Sequence, residues 1–208
     1  VAVTMNVPEA FDFGNMRRSV RTAPLHIISD ITLRDGCGRV EVETTVENTV
    51  LDHRVRVLFP TGLEGESYLS DSMFDVVSRP LALADDNEIR RELDVETRPQ
   101  YTWTAFGDGK AGLAVVSRGL PESAVLETAD HPRALTLLRG FRRAVLDNDN
   151  PGGQITGTHT FRYWLKPYAD TVPVPGLFRL GQRVNRPAGV LALTGEERGM
   201  CRSGRSLL

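Results

Sequence analysis

The most regular pattern along the chain has a period of two. Between Gly38 and Asn48, Val40, Val42 and Val46 fall on one side and Arg39, Glu41, Glu43 and Glu47 on the other, as in a half-buried antiparallel strand. Leu25 to Leu33, also rich in β-branched residues, precedes it across Arg34-Asp35-Gly36-Cys37-Gly38. The Asp-Gly there supplies the positive φ of a tight hairpin. In His53 to Phe59, the residues Val55, Val57 and Phe59 alternate with Arg54 and Arg56 before Pro60-Thr61-Gly62. That predicts a third strand, with its arginines placed to pair with Glu41 or Glu43 on a neighbour. Further strands are predicted at Met73 to Arg79, Gln100 to Phe106, Gly112 to Ser117, Ala134 to Arg139 and Ile155 to Leu165, with a second Asp-Gly turn at Asp108-Gly109. No helix is predicted. In its best candidate, Asp86 to Leu93, only Ile89 and Leu93 are apolar, which reads as a polar loop. Short strands between Gly and Pro turns predict an all-β fold, a large antiparallel β-sandwich, rather than βαβ units.

The pattern changes after Pro167. Residues 1–170 are expected to form the sandwich, and 171–208 a continuation with one last strand, from Gly176 to Leu180 or Val190 to Leu193, and a loose tail from Glu196. A chain of 208 residues with 40% hydrophobic residues can build a core of this size. Lys and Arg number 25 against 27 Asp and Glu, a net charge of -2, so neither nucleic acid nor an anionic membrane is an expected partner. There is no membrane-spanning apolar run and no signal-peptide pattern at the start. The chain reads as soluble, with the cytoplasm favoured and the compartment otherwise open. It opens on Val1 rather than Met, which reads as a piece of a longer protein. Cys37 and Cys201 are read as free thiols, one disulfide between them being formally open.

No complete catalytic set appears. Gly107-Asp108-Gly109-Lys110-Ala111 fails as a phosphate loop because Thr104 stands where a Gly is needed and Ala111 where a Ser or Thr is needed. Gly36-Cys37-Gly38 fails as a dinucleotide fingerprint at Glu41, and no Gly-x-Ser-x-Gly elbow occurs. His26, His53, His131 and His159 never pair at a short ligand spacing. In Asp52-His53 and Asp130-His131, adjacent strand residues point to opposite faces. No metal site is therefore predicted, and His159 reads as a buried, hydrogen-bonded histidine. Asp147-Asn148-Asp149-Asn150 places oxygen ligands like half a calcium loop, but Pro151 blocks the third position and the segment reads as a turn. Asp71, Asp75, Asp85 and Asp86 have the chemistry of paired glycosidase carboxylates, but sequence cannot place them around one cleft. Tyr101 and Trp103, two apart on a predicted strand, are the candidate carbohydrate-binding residues, core or interface packing being the commoner use of such a pair.

Several segments together resemble one family. Asn48 to Gly62 (Asn-Thr-Val-Leu-Asp-His-Arg-Val-Arg-Val-Leu-Phe-Pro-Thr-Gly), Asp71 to Pro80 (Asp-Ser-Met-Phe-Asp-Val-Val-Ser-Arg-Pro) and Gly112 to Glu122 (Gly-Leu-Ala-Val-Val-Ser-Arg-Gly-Leu-Pro-Glu) are similar to the C-terminal β-domain of glycoside hydrolase family 38. These are the α-mannosidases and bacterial mannosylglycerate hydrolases. Leu135 to Arg139, and Pro151 to Gln154 followed by Gly157, Phe161 and Pro167-Tyr168, continue the match in the family's order. The resemblance covers Val7 to Tyr168. It implies a galactose-mutarotase-like supersandwich packed on an upstream catalytic barrel and helical domain, and retaining, zinc-dependent hydrolysis of terminal α-mannosyl bonds by the parent enzyme. The family's zinc ligands and nucleophile lie upstream of this domain, so no catalytic or zinc-binding residue is assigned here and the fragment alone is expected to be inactive. After Tyr168 the family pattern stops, and a sandwich lacking its last strands leaves an unpaired edge prone to association. The alternatives are a freestanding module that binds mannosides through Tyr101 and Trp103, and, more weakly, an aldose epimerase in which His53 and His159 converge.

Overall fold

A computed structural model describes residues 1–143 and 151–186. Chain order runs β1 (Ala2–Pro8), β2 (Phe11–Asp12), β3 (Arg17–Arg18), β4 (Thr22–Leu33), β5 (Val40–Asn48), β6 (Arg54–Phe59), β7 (Ser67–Ser72) and β8 (Asp75–Pro80). It continues with β9 (Arg98–Pro99), β10 (Trp103–Gly107), β11 (Ala111–Ser117), β12 (Glu122–Val125), β13 (Arg133–Arg139), β14 (Gly157–Ala169) and α1 (Val174–Asn185). All eight expected strands form, and Asp86 to Leu93 is a loop with one 3-10 turn at Asn87–Ile89. The eight-stranded sheet has the order β1-β4-β5-β14-β11-β10-β7-β8, and the four-stranded sheet the order β6-β13-β12-β9. A large antiparallel sandwich is therefore the fold, with β2 and β3 as a separate two-stranded ribbon.

The inner face of the large sheet carries the alternation read from the sequence. Val42, Val46, Val115 and Tyr163 pack with Leu135, Leu137 and Leu138 of the small sheet, and Val55, Val57 and Phe59 close that core from β6. Direct cross-strand neighbours share a face. Val42 thus pairs with both Ile31 and Tyr163 on the inner side, leaving Glu41 and Glu43 on the outer side.

One expected pairing is corrected by the topology. Although β6 follows β5 in sequence, it crosses to the small sheet and pairs only with β13. Arg54 consequently meets Glu122 at 3.3 Å, while Glu41 meets Arg34 and Arg39 and Glu43 meets Arg162.

The segment after Asp170 is a helix where no helix, and in part a strand, was expected. Leu177, Leu180 and Gly181 are its buried positions, with Val174 and Val184 packed beside them. This is a helical repeat that Pro173, Pro175 and Gly176 disguise. Pro175 stands in the first turn, where its missing N–H costs nothing. Gly181 lets the helix approach the Thr102 side chain, which a Cβ would strike. The other expected strand position, Val190 to Leu193, and the tail lie outside the described residues.

Helix α1 covers the outer face of β10 and β11, burying Trp103, Ala105, Ala114 and Val116 beneath Leu177 and Leu180. At the far end of β11, Tyr168 lies over Gly112, where a Cβ would fall inside its phenol ring. Gly112→Ala is therefore expected to destabilise the chain by about 1–3 kcal/mol, the usual cost of overpacking. Denaturant unfolding checks it, and an unchanged midpoint would mean that the ring moves freely.

Candidate functional site

The most completely bonded polar centre among the described residues is built on Asp52, between β5 and β6. Its carboxylate accepts Phe11 N (3.2 Å), Arg142 Nε (3.0 Å), Arg142 Nη2 (2.5 Å) and Gln154 Nε2 (2.6 Å). Its own N–H donates to Gln154 Oε1, and its carbonyl accepts from Arg18 Nη1. Only 5% of the Asp52 side chain is exposed. Burial alone would push its pKa up, but the bonds from Arg142, Phe11 and Gln154 outweigh that and hold the carboxyl below its ordinary value. Four distant segments are thereby joined, with Arg142 and Arg143 stacked on Phe13 at 5.2 and 4.0 Å from the ring centroid. The residue also holds a left-handed backbone, φ 54°, which a non-glycine residue adopts only where its surroundings enforce it. Neighbouring His53 is pushed down by burial and by the charge of Arg18.

A buried aspartate lies toward the opposite edge of the large sheet. Asp71 on β7 is fully enclosed. Its Oδ2 accepts the Thr102 N–H at 3.2 Å and the Thr102 hydroxyl. Its Oδ1 has no partner among the described residues. Burial pushes its pKa up against these two bonds. A raised folded-state pKa means that stability is greatest below the unfolded value of about 3.8 and declines as pH rises through the folded one. Asp71→Asn removes that decline. We expect it to be more stable than the parent at pH 7, with the advantage vanishing near pH 4, as thermal melts at the two pH values would show. Asp75, Asp85 and Asp86 are exposed, so the four aspartates do not face one another across a cleft.

Arg133 is a third buried charge. It is fully enclosed between the sheets and donates to the Leu113 carbonyl and the Thr104 hydroxyl. Burial pushes its pKa down to about 10, so it stays charged at neutral pH and ties β13 to β10 and β11.

The stacking pair from the sequence is not brought together on a surface. Trp103 is 0% exposed, sealed beneath α1, whereas Tyr101 precedes β10 in a bend and is 48% exposed. As placed, Trp103 packs the core and offers no ring face to a sugar. The two histidines of the epimerase idea stand with different sheets. His53 leads into β6 of the small sheet, while His159 stands on β14 of the large sheet opposite Val46 and bonds the Thr156 carbonyl at 3.0 Å. No group of three or more His, Cys, Asp or Glu side chains among the described residues comes close enough to hold a metal ion. Asp147 to Asn150 lie outside the described residues, and Pro151–Gly153 form a 3-10 turn. Cys37 has no disulfide partner among the described residues and Cys201 lies outside them, and no helix among the described residues is long and apolar enough to cross a membrane.

The class that the fold defines is a large antiparallel β-sandwich domain. Its family is shown by the match of residues 9–147 to the model of the glycosyl hydrolases family 38 C-terminal domain. The chain belongs to that family. Over 89% of its length it superposes on an α-mannosidase from Enterococcus faecalis V583, with a TM-score of 0.78 and 28% identity. A family 38 protein from Enterococcus faecalis matches over the same share, with a TM-score of 0.74 and 27% identity. A protein of Halalkalibacterium halodurans provisionally named a mannosylglycerate hydrolase is 26% identical over 122 residues, 59% of this chain. The chain spans only 22% and 23% of the two solved chains and 13% of the Halalkalibacterium protein.

Proposed function

We propose that this chain is the C-terminal β-domain of a longer α-mannosidase-type glycoside hydrolase, which cleaves terminal α-mannosyl bonds with retention and a zinc ion. The observation that carries the reading is the family match over residues 9–147, joined to the superposition on an α-mannosidase about four times as long. The described residues offer no group of three or more side chains that could hold zinc, and the reading places the zinc of the parent enzyme outside them. The role of this chain is mechanical. Asp52, with Arg18, Arg142 and Gln154, locks the loops at one end of the sandwich, and the two cores give a rigid wall against which catalytic and helical domains pack. Mannosides are the substrate class of the whole.

Sequencing the coding region upstream of Val1 tests this reading. An in-frame α/β barrel bearing Asp and His ligands is the expected result; a stop codon or an unrelated domain would overturn it. The binding-module reading has weaker support because Trp103 is enclosed. Calorimetry with mannose-containing oligosaccharides at millimolar concentration is expected to give no heat with this chain alone.

A further inference from the structure

The inner face of the large sheet is wider than the sheet that covers it. On β1 and β4, Met5 pairs with Leu25, Val3 with Ile27, and Ile31 and Leu33 with Val42 and Val40 of β5. All of these therefore share the face on which Val42 and Leu25 are core residues. Yet Val3 is 46%, Met5 48%, Ile31 59% and Leu33 72% exposed. Most outward positions of the same strands, Thr4, Asn6, His26, Asp30 and Thr32 among them, are polar, with Ala2 and Ile28 as apolar exceptions. An alternation that places apolar residues on one face specifies a covered face, and here the four-stranded sheet stops short of it at β6. Among the described residues that strand is an edge, bonded on one side only, to β13.

Between β6 and the uncovered strands runs a groove of about 420 Å³, walled by Met5, Val7, Leu25 and Ile27 on one side and by Val55 and Arg56 on the other. Arg54 is engaged with Glu122, but Arg56 makes no ion pair among the described residues. Asp52, also at the groove, is neutralised by Arg142. A strand edge open among the described residues, an apolar floor and an arginine that feels Glu96 and Glu122 without a direct ion pair to either together describe a seat for an extended, alternating apolar segment that carries a carboxylate.

We propose that a strand from the part of the longer family polypeptide outside this chain adds to the free edge of β6, covers Val3, Met5, Ile31 and Leu33, and pairs a carboxylate with Arg56. This rests on the proposed function, and the amount of polypeptide available supports it, since the chain accounts for only 22% of its solved relative. The chain's own α1 lies on the opposite face, over β10 and β11, with Asn185 bonded to the Ser117 carbonyl and the Gly119 N–H.

The test is hydrogen exchange on the longer polypeptide and on the 208-residue chain, each with and without Ile31→Lys. The β6 amides not bonded to β13 are expected to exchange at least about tenfold more slowly in the longer polypeptide, and Ile31→Lys should abolish that protection. In the short chain the same substitution should leave the unfolding midpoint unchanged. Equally fast β6 exchange in both would overturn the proposal. So would a dimer of the short chain that Ile31→Lys dissociates, which makes a second copy the occupant, or β6 protection in the short chain that disappears on removing residues 187–208. Mannosidase turnover by the longer polypeptide with β6 unprotected sinks this inference alone. A protected β6 in a polypeptide without turnover sinks only the proposed function, and a gene encoding nothing beyond this chain sinks both.

Discussion

Asp52→Asn is expected to lower the unfolding free energy by about 3 kcal/mol, at the lower end of the range for breaking one side of a buried ion pair. The lower end applies because the Arg142 side chain retains 29% exposure and can recover solvent, whereas Asp52 retains 5%. The substitution disturbs more than one pair. The carboxylate accepts from Phe11, Arg142 and Gln154 at once, so the N-terminal ribbon, the segment after β13 and the start of β14 should loosen together. The pH dependence has a definite sign. The folded-state pKa of Asp52 lies below its ordinary 3.8, so its contribution is fully present above that value and is lost as pH falls below it. Urea unfolding of parent and variant should therefore differ most at neutral pH and converge in acid. A variant as stable as the parent at pH 7 would show that the centre is decoration.

Trp103→Ala should cost more, about 3–5 kcal/mol, the range for truncating a fully buried large aromatic. The indole is 0% exposed and packs against Leu177 and Leu180. Its removal leaves a cavity under α1 and should release the helix first, visible as lost helical circular dichroism at temperatures where the strands persist. Trp103→Phe should recover much of the loss. The result also bears on function: any carbohydrate affinity lost in Trp103→Ala must be judged against the unfolding of α1 before it is credited to stacking.

What could be read from sequence follows from where the information sits. Val40, Val42 and Val46 alternate with glutamates, and the Asp-Gly turns at Asp35 and Asp108 link consecutive strands, so both hairpins were legible locally. β1 carries the same signal in Val3, Met5 and Val7. β7 was missed because Ser67, Ser70 and Ser72 are not apolar, its inward Tyr68 standing almost alone. The sheet to which β6 belongs cannot be read from its neighbours in the chain, and Arg54 therefore found Glu122 rather than Glu41. Helix α1 was hidden by prolines that look like breakers and in fact start it. The Asp52 centre joins residues 90 and 102 positions apart, a separation at which no local pattern operates. Its one sequence trace is the Asp52-His53 pair inside a family-like segment. For Trp103, period two identifies a face without saying what covers it, so the core reading and the stacking reading look alike in sequence.

The most direct test of the central claim, that this chain is the architectural part of an enzyme whose chemistry lies elsewhere, is hydrolysis of an aryl α-mannoside by the purified 208-residue chain with zinc supplied, beside the longer polypeptide. No turnover from the short chain and zinc-dependent turnover from the longer one is the predicted result. Zinc-dependent hydrolysis by the short chain alone would contradict it.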